Sequence, residues 1–241
     1  GQIYLNTQVW AVMSSAATAE QARICMESVK EKLATPYGLM LCAPPFVKTR
    51  SDIMSSVVFL PGIKENAGIF NHTQGWGVIA EAMLGNGDRA YEYCKASIPA
   101  AYNDKAEIRQ SEPYVVGQTT YSTFSKRPGN TRTSWLSGAG TWSYYAITQY
   151  MLGIKPQYDG LLIDPCIKHD WDGYTVERRW RKMNLHIEVK NPQHLSRGIE
   201  YIEVDGKRVD AAVIPVSMIK DGTKIVAYMG KNAKEAPVER V

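Results

Sequence analysis

The sequence predicts an α + β multidomain chain, helical in its first part and strand-rich in its second. Three observations carry this reading. Apolar residues recur at helical spacing up to about residue 152, the texture changes to short alternating runs after Gly153, and 241 residues are enough for one large domain or two smaller ones. The boundary falls near residue 156, which divides the chain into 1–156 and 157–241.

Leu5, Val9, Val12 and Ala16 lie at helical spacing over residues 4–16, and Thr18 stands where a second helix needs its N-cap, with Ile24, Val29 and Leu33 on or near one face. These two helices read as a hairpin. Thr35-Pro36-Tyr37-Gly38 ends the second. Pro44, Pro45, Pro61 and Gly62 then make the stretch to about residue 70 a long ordered loop, of a length uncommon in compact domains unless it is functional. Helical spacing returns from 72 through Val78, Ile79, Ala82 and Leu84, stops at Gly85-Asn86-Gly87, and resumes at Asp88 with Ala90, Tyr91 and Cys94. Residues 100–135 are irregular around Pro113, Gly117, Pro128 and Gly129, and a fifth helix covers about 139–152. Helices joined by such loops do not close a bundle of their own; they fit consecutive helices of a larger α/α toroid whose loops gather at one end. Beyond Gly153, the runs Leu161-Leu162-Ile163, Tyr174-Val176, Leu185-Ile187-Val189, Ile202-Val204, Val213-Ile214 and Ile225-Ala227 read as strands, with Asp205-Gly206 and Asp221-Gly222 as hairpin turns. Together they predict an antiparallel β-sandwich.

Composition narrows the function classes. The net charge of +4 arises from 28 basic and 24 acidic side chains that are scattered, so no nucleic-acid partner is expected. Cys25, Cys42, Cys94 and Cys166 are far apart and lack CxxC spacing, which argues against zinc and against a disulfide framework. No apolar run is long enough to span a bilayer and no signal segment opens the chain, so the expectation is a cytoplasmic protein with no membrane partner. Gly1 replaces an initiating Met and leads directly into periodic sequence, which reads as a piece of a longer polypeptide. Apolar faces such as Val9 and Val12 are then expected to meet neighbours outside this chain.

The residues with chemical promise cluster in two stretches. In KENAGIFNHTQGW (64–76), the pair Lys64 and Glu65 precedes His72, which enters a helix among Asn71, Thr73 and Gln74, a setting that reads as a polar loop. In SWLSGAGTWSYY (134–145), Ser137 and Gly138 precede a helix start, where unpaired N–H groups and the helix dipole favour an anion such as phosphate. His72 is equally readable as a structural histidine, and Lys64-Glu65 as a solvated pair. Glu112 and Gln118 share the second long loop with Tyr114 and Tyr121, the mixture of rings and polar groups that suits a sugar. His169, His186 and His194 lack metal-ligand spacing. Asp164-Pro165 and Trp171 read as organisers of the domain junction. No general acid stands out, since Asp104, Glu107 and Glu112 have no distinguishing setting.

Taken in order, YLNTQVWAV, KENAGIFNHTQGW, GDRAYEY, AAYNDKAEIRQSEPYV, GQTTYS, WLSGAGTWSYY, LGIKPQYDGLLIDPCI and W-DGY resemble the cellobiose and chitobiose phosphorylases, inverting disaccharide phosphorylases of one glycoside hydrolase family. The resemblance covers the helical part and the first strands. It implies that residues 1–156 are the C-terminal half of an (α/α)6 barrel and that 157–241 form a C-terminal β-sandwich domain. It further implies phosphate binding by His72, Ser137 and Gly138, with Ser137 replacing a commoner Thr. Lys64 and Glu65 take acceptor-site roles, and Gln118 contacts the sugar near the scissile bond. The family's general-acid Asp and a phosphate-binding Arg lie upstream of the matching region. Lys168 stands where Pro is expected. The implied activity is phosphorolysis of cellobiose to α-glucose 1-phosphate and glucose, with N,N′-diacetylchitobiose or another β-linked oligosaccharide as the alternative substrate. A non-catalytic carbohydrate-binding fragment remains a reading of another class. The implied partners are disaccharide and inorganic phosphate, with no metal or organic cofactor, in a homodimer or with a complementing N-terminal chain.

Overall fold

In the computed structural model, residues 1–136, 138–209 and 213–231 are described. After a two-residue strand, β1 (Ile3–Tyr4), come α1 (Leu5–Met13) and α2 (Ala19–Lys32). Thr18 caps α2 reciprocally: Gln21 N–H donates to Thr18 Oγ1 (3.3 Å) and Thr18 N–H to Gln21 Oε1 (2.9 Å). The buried face of α2 is Ala22, Met26, Val29 and Leu33, whereas Ile24, expected near that face, is 50% exposed. Val9 and Val12 are already buried within this chain, since α1 packs on α2 and on a later helix; that expectation is corrected.

The loop after α2 is ordered by short pairings. β2 (Ala34–Thr35) and β3 (Gly38–Leu39) form a hairpin, and β4 (Cys42–Ala43) returns to pair with β1. The buried Asn66 side chain pins the rest: its amide donates to the carbonyls of Phe46 (2.9 Å) and Phe59 (2.8 Å), and its oxygen accepts from Phe46 N–H (2.7 Å). A short α3 (Met54–Val58) lies inside this loop. Then β5 (Ile69–Phe70) runs straight into α4 (Asn71–Met83), the central helix, which packs on α1, on α5 (Gly87–Ser97) and on the last helix. A 3₁₀ segment (Pro99–Lys105) and α6 (Ala106–Arg109) lead into the second long loop, whose β6 (Thr119–Thr120) and β7 (Thr131–Arg132) add to β5 as an antiparallel three-stranded sheet. That sheet draws both long loops to the N-terminal end of α4. The final helix, α7 (Ala139–Tyr145), continues as π-helical turns to Met151.

From β8 (Ile154–Pro156) the chain is mainly strand: β9 (Gly160–Ile163), β10 (Gly173–Trp180), β11 (Met183–Lys190), β12 (Ile199–Val204), β13 (Lys207–Val209), β14 (Val213–Pro215) and β15 (Lys224–Met229). They form a five-stranded sheet, β10-β11-β15-β12-β13, and a three-stranded sheet, β14-β9-β8. Leu161, Ile163 and Ile214 of the smaller sheet share one buried core with Leu185, Ile187, Val189, Ile202, Val204 and Ile225 of the larger. The expectation of an all-antiparallel arrangement fails at one pairing, because β15 enters between β11 and β12 and runs parallel to β11. Asp221-Gly222 accordingly does not close a hairpin. It leads into β15, and the Asp221 carboxylate accepts from Asn184 N–H (2.7 Å) and Nδ2 (3.0 Å) at the start of β11.

The helical and strand-rich parts meet through polar contacts. The Arg197 guanidinium donates to both Asp164 oxygens (3.2 and 2.8 Å) and to the Met83 carbonyl at the end of α4 (3.1 Å). Asp88 at the start of α5 accepts from His169 N–H (3.0 Å), and the Tyr91 and Trp171 rings meet edge-on at 5.6 Å. Asp164 and Trp171 therefore do organise the junction. His186 pairs with Glu177 on the outer sheet face, and His194 lies 3.8 Å from Asp172. All four cysteines are free, Cys42, Cys94 and Cys166 buried and Cys25 half-buried.

Candidate functional site

The first turn of α4 is built on buried polar side chains. Gln74, fully buried, accepts from Leu39 N–H through Oε1 (2.6 Å) and donates through Nε2 to the carbonyls of Leu39 (3.0 Å) and Phe70 (2.8 Å). Gly38 leaves room for this, since a Cβ there would sit 2.7 Å from Gln74 Oε1. Asn71 ties the same turn to the second long loop: its N–H donates to the Gln118 carbonyl (2.9 Å), its Nδ2 to the Gly117 carbonyl (2.8 Å), and its Oδ1 accepts from Thr120 Oγ1 (3.2 Å). Thr73 Oγ1 returns a bond to the Phe70 carbonyl (2.8 Å). The polar residues around His72 are thus 0–3% exposed, a buried junction in place of the expected polar loop. Their bonds satisfy groups that burial would otherwise penalise.

His72 is half-buried on this turn and lines a pocket of ≈310 Å³ with Phe70, Gln118, Gly138 and Trp142. Three residues expected in the site, His72, Gln118 and Gly138, are therefore brought together from three separate segments. Ser137 lies outside the described residues. Lys64 and Glu65 are not among the described lining. They form the tip of a tight turn between Ile63 and Asn66, with Lys64 in the left-handed region (φ 45°) and its ammonium 5.9 Å from the Phe59 ring centroid. Glu112, in the loop that carries Gln118, accepts from Ser134 Oγ (2.6 Å), and Tyr114 faces Trp135 at 6.3 Å. These contacts join the loop ahead of Gln118 to the loop ahead of Gly138.

The electrostatics are simple. Burial lowers the proton affinity of His72 below the ordinary imidazole value, so the ring is neutral near pH 7 and can donate from one nitrogen and accept at the other. Gln118 Oε1 is buried without a hydrogen-bond partner among the described residues. No carboxylate is among the described lining of the pocket. Asp104, Glu107 and Glu112 are exposed, and the fully buried Glu81, whose carboxyl burial pushes up, lies nine residues along α4 from His72, about 14 Å away at 1.5 Å per residue. Among the described residues no group of three or more His, Cys, Asp or Glu side chains is placed to hold a metal ion, and no helix is long and apolar enough to cross a membrane.

Sequence reasoning passed over the pocket walls Phe70 and Trp142, and Trp76, whose ring meets that of His72 at 5.1 Å. A signal was present for the two tryptophans. Trp76 follows His72 by four positions and Trp142 follows Gly138 by four, the spacing that stacks side chains on one helical face. Gly75 sets the separation of the two helices, since a Cβ there would lie 2.7 Å from the Trp142 carbonyl oxygen.

Residues 1–153 match the family described as the glycosyl hydrolase 94 superfamily, catalytic domain. The chain is 37% identical over 226 residues to an N,N′-diacetylchitobiose phosphorylase of Vibrio proteolyticus, covering 94% of this chain and 28% of that protein. It is 39% identical over 211 residues to the N,N′-diacetylchitobiose phosphorylase of Vibrio furnissii, covering 88% and 26%, and 32% identical over 216 residues to a solabiose phosphorylase of Paenibacillus borealis, covering 90% and 28%. It thus spans little more than a quarter of the length of these relatives. With the match covering the whole helical part and the pocket-bearing turns of α4 and α7, this chain belongs to the glycosyl hydrolase 94 superfamily.

Proposed function

We propose that the protein containing this chain is an inverting disaccharide phosphorylase, with His72, Gly138 and the Ser137 hydroxyl holding phosphate and Gln118 reading a sugar hydroxyl. The observation that carries this is the pocket, in which a neutral imidazole, the start of α7 and a buried amide oxygen with no partner among the described residues converge from distant segments. A neutral imidazole and helix-start N–H groups donate to an anion without a buried cation, while an amide oxygen accepts a hydrogen bond from a hydroxyl. In the reaction, a phosphate oxygen attacks the anomeric carbon, the glycosidic C–O bond breaks, and an acid outside the described pocket lining protonates the leaving oxygen. Positioning of phosphate replaces a diffusional encounter.

The names of the relatives favour N,N′-diacetylchitobiose over the cellobiose expected from sequence. In this reading residues 1–156 belong to an (α/α)6 barrel and 157–241 form its C-terminal β domain. Lys64 and Glu65 reach the acceptor sugar when the remainder of the barrel is in place. The enzyme needs phosphate as substrate and no metal or organic cofactor, and it works as a cytoplasmic homodimer. The test is product analysis of the full-length protein with N,N′-diacetylchitobiose or cellobiose, with and without inorganic phosphate. The expected result is phosphate-dependent release of the α-configured sugar 1-phosphate, faster from N,N′-diacetylchitobiose. Cleavage at equal rate without phosphate would make the protein a hydrolase, and no cleavage of either sugar would leave the carbohydrate-binding reading.

A further inference from the structure

A histidine that holds a ligand ordinarily has one ring nitrogen fixed by a carboxylate or a backbone carbonyl, which sets its tautomer and its orientation. Among the described residues His72 has no such anchor. Among the described residues neither ring nitrogen has a hydrogen-bond partner, and burial lowers the proton affinity of the ring. What holds it is a pair of rings. The imidazole meets Phe70 at 5.6 Å and 71°, and Trp76 at 5.1 Å and 82°, both edge-to-face.

Trp76 is itself immobilised. It is wedged edge-on between Trp10 of α1 (5.5 Å) and Trp142 of α7 (5.7 Å), and Trp10 and Trp142 meet each other at 6.5 Å. Its indole Nε1 is buried with no acceptor among the described residues, so the side chain acts through its ring and not through a hydrogen bond. Because Trp142 also lines the pocket, one set of rings spaces the His72 and Gly138 sides of the site.

We propose that Trp76 is a positioning residue for phosphate: it fixes the imidazole of His72 by ring contact alone, which leaves both nitrogens available to the pocket. The inference rests on the reading of His72 as a phosphate ligand. It predicts that a ring at position 76 matters more than an indole N–H does.

The experiment measures initial rates of phosphorolysis by the full-length protein across a phosphate titration for wild type, His72→Ala, Trp76→Leu, Trp76→Phe and the double variant His72→Ala/Trp76→Leu, each checked for folding by its thermal transition. Trp76→Leu should raise the phosphate KM by about 2- to 12-fold, the worth of one edge-to-face ring pair, while the disaccharide KM stays within about 2-fold. Trp76→Phe should restore the wild-type phosphate KM. The double variant should be no worse than His72→Ala, because a residue acting only through His72 has nothing left to position. If Trp76→Leu does not fold, Trp76→Met, unbranched and able to fill the gap, takes its place. An unchanged phosphate KM in the folded Trp76 variants, with His72→Ala impaired, overturns the proposal. So do losses that add in the double variant. An unchanged KM in His72→Ala removes the phosphate reading itself, and the proposal with it.

Discussion

Replacing Gln74 by Leu probes how far the site depends on buried hydrogen bonds. In the native chain Gln74 bridges the N–H and the carbonyl of Leu39, at 2.6 and 3.0 Å, and reaches the Phe70 carbonyl at 2.8 Å. Leucine is close in size, so packing is largely kept, but the backbone of a fully buried Leu39 loses its side-chain partners. The Phe70 carbonyl is less exposed to the loss, since it still accepts from Thr73 Oγ1 (2.8 Å). With two groups stranded at about 1–3 kcal/mol each, the change should cost about 2–6 kcal/mol. Native-state hydrogen exchange reads this locally: the Leu39 amide should exchange about 30-fold to 10⁴-fold faster than in wild type, because each 1.4 kcal/mol is a factor of ten in the opening equilibrium. Phosphate affinity should fall in step, as His72 lies two positions ahead on the same turn. An unchanged Leu39 exchange rate, with stability within about 0.5 kcal/mol of wild type, would refute the view that this amide organises the start of α4.

Three further outcomes are expected. Because burial depresses the folded-state proton affinity of His72, the unfolded chain binds its proton first as pH falls; its contribution to stability is complete above pH of about 6.5 and declines as pH drops through the folded value, a slope that His72→Gln should remove from thermal melts taken across that range. Arg197→Met leaves an Asp164 carboxylate that is only 8% exposed with Lys155, at 3.8 Å, as its ion-pair partner and frees the Met83 carbonyl, so the strand-rich part should lose about 1.5–3 kcal/mol in urea titration, with an unshifted midpoint counting against the junction. Lys64→Ala should weaken the acceptor sugar in the synthetic direction far more than it weakens the sugar 1-phosphate; equal losses would place Lys64 in the folding of its turn.

Much of the fold was legible where the signal is local. Thr18 with Gln21 three positions later is a capping pair readable from sequence, and the alternation of Leu185, Ile187 and Val189 is the period of a strand with one face on a core. Long-range partnership was not legible. The β10–β11 hairpin turns at Arg181-Lys182, both at positive φ (47° and 69°), where the usual Asn-Gly signal is missing. The parallel entry of β15 beside β11 leaves no mark in its own residues. Asn71 and Gln74 looked like parts of a solvated loop because their partners, Leu39 and the 117–120 segment, are 35 to 49 positions away in the chain. Of the site, His72 and Gly138 were picked out by polar groups at helix starts and Gln118 by a loop shared with aromatic rings, with the resemblance adding a role for each, and the rings that enclose them were passed over because tryptophans at helical spacing read as ordinary core.

The contrast between the two kinds of side chain at this site bears on what it accepts. Asn71, Thr73 and Gln74 have their hydrogen bonds within the protein, so the start of α4 is rigid before any ligand arrives. His72 and Gln118 do not: both imidazole nitrogens lack a partner among the described residues, and Gln118 Oε1 is buried without one. An acceptor left unpaired in a buried position costs about 1–3 kcal/mol, which a ligand carrying a hydroxyl proton recovers on binding. A neutral imidazole donates to an anion from one nitrogen at no cost of a buried cation. A sugar hydroxyl at Gln118 with a phosphate oxygen at His72 satisfies both deficits together, whereas a purely apolar ligand of the same size satisfies neither. Ligands that bind only the folded chain also stabilise it. Sugar and phosphate added together should therefore raise its thermal midpoint by more than either one alone, and equal shifts for the pair and for phosphate alone would separate Gln118 from the ligand.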